Sequence, residues 1–170
     1  MHVCEFIVDK ITNSIEEVSS GKIFETDVMP ASYKELSKLY KKDGWKFDWK
    51  KECKPEGRQV YKLVRREGGG EIEGVISFVS VTDELYCFMK LIEVAPHNYG
   101  SKKKFAGVAG NLVAFVCKMS FDSGFGGLVN FDAKTRLIQH YVETLRARHE
   151  GGGRMVIYPE ASLFLVNSYF

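Results

Sequence analysis

Residues 85 to 119 change their apolar period in mid-course, and no other feature limits the fold so tightly. Leu85 to Ala95 is an extended apolar run closing on Ile92-Glu93-Val94-Ala95-Pro96, whereas Phe105, Val108, Ala109, Leu112, Val116 and Met119 recur at three- and four-residue steps. The first pattern suits a strand and the second lines one face of a helix, expected from Lys104 to about Gly124. Gly107 stands where the connecting loop becomes that helix. A glycine there lets backbone N–H groups approach an anion with no Cβ in the way, and the open amides and dipole of a helix start favour phosphate. Lys102, Lys103 and Lys104 add positive charge just upstream. The Walker pattern and G-x-G-x-x-G are both absent, so neither a P-loop nor a dinucleotide turn is expected.

The remaining chain fits around this unit. Gln59 to Arg66 and Ile72 to Thr82, parted by Gly68-Gly69-Gly70, read as a hairpin that continues into the Leu85 strand. Cys4 to Lys10 reads as a strand and Ser32 to Lys41 as a helix with Tyr33, Leu36, Leu39 and Tyr40 on one side. Downstream come a strand over Gly127 to Ala133, a helix over Thr135 to Arg146 with Leu137, Ile138, Tyr141, Val142 and Leu145 inward, and a strand over Met155 to Tyr158. After Pro159 the pattern suits either a short helix or a strand.

With 170 residues, no internal repeat and no low-complexity linker, one mixed α/β domain over residues 1–170 is expected. Apolar residues at 45% and charged ones at 27% can build a core, while a net charge of +2 supplies no global field for nucleic acid. Trp45-Lys46-Phe47-Asp48-Trp49-Lys50-Lys51 interleaves aromatics with base, but Asp48 and the near-neutral total favour a helix or loop covering the substrate side rather than a base-stacking platform. Cys4, Cys53, Cys87 and Cys117 lack metal-ligand spacing and read as free thiols, so no metal is expected. Met1-His2-Val3-Cys4 opens no secretory signal, and no run is long and apolar enough for a membrane span, so a cytoplasmic protein is expected.

Lys104-x-x-Gly107-x-Ala109 after a strand ending in Val94-x-Pro96 resembles the [Q/R]-x-x-G-x-[G/A] signature of the GNAT superfamily of N-acetyltransferases. Lys104 stands where that family has Gln or Arg, and the loop from His97 to Ala106 is longer than usual. Lys134 to Tyr141 resembles the family's Asn-x-x-Ala-x-x-x-Tyr segment, with Lys134 for the asparagine. The two segments cover roughly residues 85 to 158. The resemblance implies a largely antiparallel, splayed sheet between helix layers, three-layer α-β-α, with acetyl-CoA in the splay. It implies cofactor contacts from Ile92, Val94, Lys102, Lys103, Lys104, Gly107, Val108, Ala109, Gly110, Asn111 and Lys134. Direct transfer to an amine follows from it, with Glu93 or a water chain as base, Tyr141 as the acid for the leaving thiolate, and an N–H near Val94 polarising the thioester.

Each of these residues also has a plainer reading. The lysine run is compatible with a solvated loop, Tyr141 with a buried aromatic, Glu93 with a salt bridge and Cys117 with the core. His140, one step from Tyr141, points to another helix face and reads as a surface or partner-facing residue, and His97 is assigned no part in the reaction. A non-catalytic binding module of the same fold, or transfer of another acyl group, is the alternative function. The acceptor, whether small molecule or protein amine, is unnamed, and a homodimer is left open.

Overall fold

The computed structural model describes residues 3–170; Met1 and His2, which the signal-peptide reading includes, lie outside them. In chain order the strands are β1 (Ile15–Glu17), β2 (Ile23–Phe24), β3 (Thr26–Pro30), β4 (Gln59–Arg65), β5 (Ile72–Val81), β6 (Tyr86–Val94), β7 (Phe105–Ala106), β8 (Val129–Asp132), β9 (Arg148–His149) and β10 (Arg154–Ile157). The helices are α1 (Tyr33–Leu36), α2 (Trp49–Glu52), α3 (Val108–Asp122), α4 (Ile138–Leu145) and α5 (Pro159–Tyr169). Seven strands form one sheet in the order β3-β4-β5-β6-β8-β10-β9, antiparallel except between β6 and β8, and β2-β1-β7 form a small second sheet. This is the mostly antiparallel mixed α/β sheet, flanked by helices, that the resemblance implies.

Alternation along the central strands divides the core. Leu63, Ile76, Phe78 and Met89 pack with α3 and α5 on one face, while Val60 and Val75 turn to the other and meet Leu36, Trp45 and Trp49. Burying one such side chain contributes about 1.5–3 kcal/mol, so both layers are held by the sheet they cover. α3 ends in a Schellman turn: Gly124, at φ +81°, donates to Phe121, and Phe125 donates across to Ser120 at 2.8 Å.

Three local expectations are corrected. Cys4 to Lys10 is not a ladder strand: only Cys4 bridges, in parallel, to Ala133. The helix expected from Lys104 starts at Val108, because Phe105 and Ala106 pair with Glu17 and Glu16 of β1. The helix expected over Ser32–Lys41 stops at Leu36, after a Ser32/Glu35 capping box. Past Pro159 the chain is helical, α5 packing on α3.

Candidate active site

The parallel ladder between β6 and β8 is short. β6 meets β8 only through Cys87↔Val129 and Phe88↔Asn130, and the two then diverge. Lys90 is the extra residue of a bulge, since Ser77 opposes Leu91 while Phe78 opposes Met89. A bulge adds local twist and frees backbone groups. Here it lies just past the last β6–β8 pair, and Ser77 Oγ accepts the Leu91 N–H at 3.2 Å. A wedge opens beyond it.

Near this wedge is a cavity of about 490 Å³, onto which Ile92, Val94, Val108 and Ala109 present apolar surface. Glu93 and Lys103 border it too, as do Lys46 and Phe47 from the loop before α2. At the α3 end, Gly107 takes φ +90°, ψ 0°, a conformation that strains any residue with a side chain, and a Cβ there would be driven into Thr12 Oγ1.

The α3 amino end already holds an anion from the chain itself. Gly107 N–H donates to Asp9 Oδ1 at 3.1 Å, and Lys103 Nζ donates to Asp9 Oδ2 at 2.9 Å. A carboxylate seated on a backbone amide and a lysine shows that these residues fit an anionic group.

Not all the residues that the resemblance nominates converge on the cavity. Gly110 packs so closely on α5 that a Cβ would collide with the Tyr169 hydroxyl. Asn111 donates to the Ser14 carbonyl at 3.1 Å and to Thr26 Oγ1 at 3.3 Å, and its Oδ1 is buried with no partner among the described residues. Lys102 is exposed, and Lys104 lies over the Phe105 ring. Lys134 pairs with Glu5 at 3.0 Å, and Arg136 pairs with the same carboxylate, which the two cations hold below the usual range.

The Tyr141 hydroxyl is fully buried and held on both sides: it accepts the Phe6 N–H at 3.0 Å and donates to the Phe6 carbonyl at 2.7 Å. Burial, above all, pushes this phenol up from its ordinary value, so it keeps its proton. The Glu93 carboxylate accepts from Lys46 N–H at 2.6 Å, Phe47 N–H at 3.3 Å and Trp49 Nε1–H at 2.8 Å. It pins the aromatic loop to β6.

His97 and Asn98 shape the long loop. Asn98 donates to the Glu73 carbonyl and to Glu73 Oε1, both at 3.0 Å, while its own oxygen accepts the Phe105 N–H at 3.0 Å. Glu73 is fully buried, facing His97 Nε2 at 2.6 Å and Arg65 Nε at 3.4 Å. The loop is therefore fixed at both ends. Asp9, Phe6 and Asn98 were not found by reading the sequence, because their partners are set by the fold: Asp9 and Gly107 are 98 residues apart.

No family model matches the chain, and no curated protein matches its sequence. The structure is similar to a mutant form of the spermidine/spermine N-acetyltransferase SpeG from Vibrio cholerae, with TM-score 0.58 and 13% identity, over 82% of this chain and 98% of that one. A structure of the Vibrio cholerae spermidine N-acetyltransferase with CoA and spermine gives TM-score 0.58 and 12% identity, over 81% and 98%. GCN5 from Tetrahymena gives 0.52 and 10%, over 79% and 97%. These likenesses concern the backbone, and in its backbone the chain has the fold of the GNAT-superfamily acetyltransferases.

Proposed function

We propose that the chain is an N-acetyltransferase, acting as one domain, that takes acetyl-CoA at the amino end of α3 and transfers its acetyl group to an amine. The carrying observation is the Gly107 turn, whose amide, together with Lys103, already cradles a carboxylate at the edge of the cavity lined by Ile92, Val94, Val108 and Ala109. When bound, acetyl-CoA supplies an acetyl thioester. Gly107 N–H and Lys103 bind its phosphates, with Lys102 and Lys104 adding to the local field, and Ile92, Val94, Val108 and Ala109 give its arm apolar walls.

Tyr141 is the proton donor to the departing sulfur, and it serves once its hydroxyl is released from the Phe6 carbonyl. For the acceptor's proton, a water chain fits better than Glu93 directly, since protonating that carboxylate would disrupt a site with three N–H donors. Glu93, whose carboxylate is taken up by three N–H donors, is not free to receive a cationic acceptor such as the spermine in the Vibrio cholerae structure.

A second reading, a binding module without the reaction, is favoured by one observation: residues 4–9 lie along the groove that the cofactor would use. Incubation with acetyl-labelled acetyl-CoA and a panel of mono-, di- and polyamines separates the two. Label on any amine of the panel supports acetyl transfer; binding with no label on any amine supports the module; label passing to an amine only from a longer-chain labelled acyl-CoA, offered in parallel, would replace acetyl.

A further inference from the structure

Residues 4–9 make a set of contacts that would be surprising in an ordinary strand. Cys4, Phe6 and Val8 are buried while Glu5 and Ile7 are exposed, the alternation of a half-buried strand, and Asp9 turns its carboxylate to the α3 end. Yet past Cys4 no strand among the described residues pairs with them. Side chains hold the backbone instead: Tyr141 brackets Phe6, His140 Nε2 accepts the Val8 N–H at 2.9 Å, and the Tyr169 hydroxyl donates to the Lys10 carbonyl at 2.9 Å. At the wedge the Cys4 thiol faces the Lys90 carbonyl at 3.7 Å, where the bulge has freed β6 backbone. At the far end Asp9 sits on Gly107 and Lys103.

We propose that residues 4–9 are an autoinhibitory strap lying in the cofactor groove, with Asp9 in the place of a phosphate and Phe6 capping the Tyr141 hydroxyl, and that the strap must leave before acetyl-CoA binds. The inference rests on the proposed function, because it assigns the Gly107 turn, Lys103 and Tyr141 to the cofactor. One short segment engages all three. Two ligands that use the same groups exclude each other, so the strap lowers the apparent affinity for acetyl-CoA by the fraction of molecules in which it is open.

The test is calorimetric titration of acetyl-CoA into the wild type, Asp9→Asn and the double variant Phe6→Ala/Asp9→Asn, with amide exchange at Phe6 and Val8 followed in the wild type. Asp9→Asn keeps the side-chain shape and removes the charge from the α3 end, so affinity is expected to rise about tenfold, the size of one charged hydrogen bond. Saturating acetyl-CoA is expected to speed exchange at Phe6 and Val8, whose amides lose Tyr141 and His140 as partners. Equal affinity in wild type and Asp9→Asn, with both amides still protected in the complex, overturns the strap and leaves the cofactor site standing. Absence of binding in all three folded proteins overturns the cofactor reading itself, and the strap with it. Binding by the variants alone supports both.

Discussion

Gly107, Tyr141 and His140 each carry a prediction that depends on one or two atoms. A side chain at Gly107 meets both the cost of φ +90° and the Thr12 hydroxyl. Gly107→Ala is therefore expected to lower stability by about 1–2 kcal/mol from the backbone alone, more with the overlap, and to weaken acetyl-CoA binding. Denaturant titration checks it, and adding Thr12→Ala should return the part due to overlap; full return would show that backbone conformation costs nothing. Tyr141→Phe removes one hydroxyl and strands both polar groups of Phe6. It should cost about 1–3 kcal/mol of stability and about 10²- to 10⁴-fold in turnover per folded molecule, while acetyl-CoA affinity rises because the strap is loosened. Turnover unchanged per folded molecule would make Tyr141 a core residue only. His140 can accept the Val8 N–H only while Nε2 is unprotonated, and burial lowers its pKa below the ordinary 6.5 against a smaller opposing pull from Glu143. The folded state then binds fewer protons than the unfolded one. This contribution is fully present above the unfolded value and is lost as pH falls through it toward the lower folded value. Thermal melts from about pH 8 to about pH 5 should show this loss in the wild type and less of it in His140→Gln, since the imidazole titrates in that window and an amide does not.

At the scale of elements, what could be read in the sequence depended on whether the cause was local. β4, β5, β6 and α3 carry their periods in their own residues; the hairpin stands where its period places it, and α3 follows its period from Val108 onward. The Ser32 helix is shorter than its pattern because Leu36 is its only buried residue, so packing holds one turn. Phe105 and Ala106 fit the α3 period yet extend, since β1 offers them a ladder that local propensity cannot reveal. The strand expected at Cys4 had the right alternation but lies in the wedge with no ladder partner past Cys4. Of the site, the Gly107 turn was legible because a glycine at a strand-to-helix junction has a physical reason; Asp9 was not, having no local signal. Glu93 was legible as an acid on β6 but not as the clamp of the Trp45–Trp49 loop. Glu93→Gln turns an amide N–H₂ toward N–H donors, so at least one bond must be lost. Lower stability and an altered Trp49 fluorescence are expected, and an unchanged emission spectrum with unchanged stability would remove the clamp.

Over the whole molecule, the four thiols sample separate parts of one structure. Cys87 and Cys117 lie in the core between sheet and α3, their thiols pushed up by burial to about 11 and about 12. Cys4 is as deeply buried, at about 12, first through desolvation and then through the Asp132 charge, but it belongs to residues 4–9. Cys53, half-buried beside α2, is raised as well, by burial and by Glu52. Only thiolate reacts with an alkylating reagent, so a thiol held in its native setting is inert and reacts after an opening that exposes it. Openings of different size have different free energies: a segment without a ladder opens below the cost of global unfolding, whereas the sheet–α3 core does not. Alkylation with iodoacetamide, mapped by mass spectrometry, should therefore label Cys53 first, Cys4 next, and Cys87 and Cys117 together at the rate of global unfolding. Acetyl-CoA should reverse the usual effect of a ligand at one thiol alone, quickening Cys4 while slowing Cys87 and Cys117, because binding stabilises the fold and expels the segment that carries Cys4. If acetyl-CoA protects all three to the same degree, residues 4–9 move only with the rest of the molecule, and the groove that holds them does not open on its own.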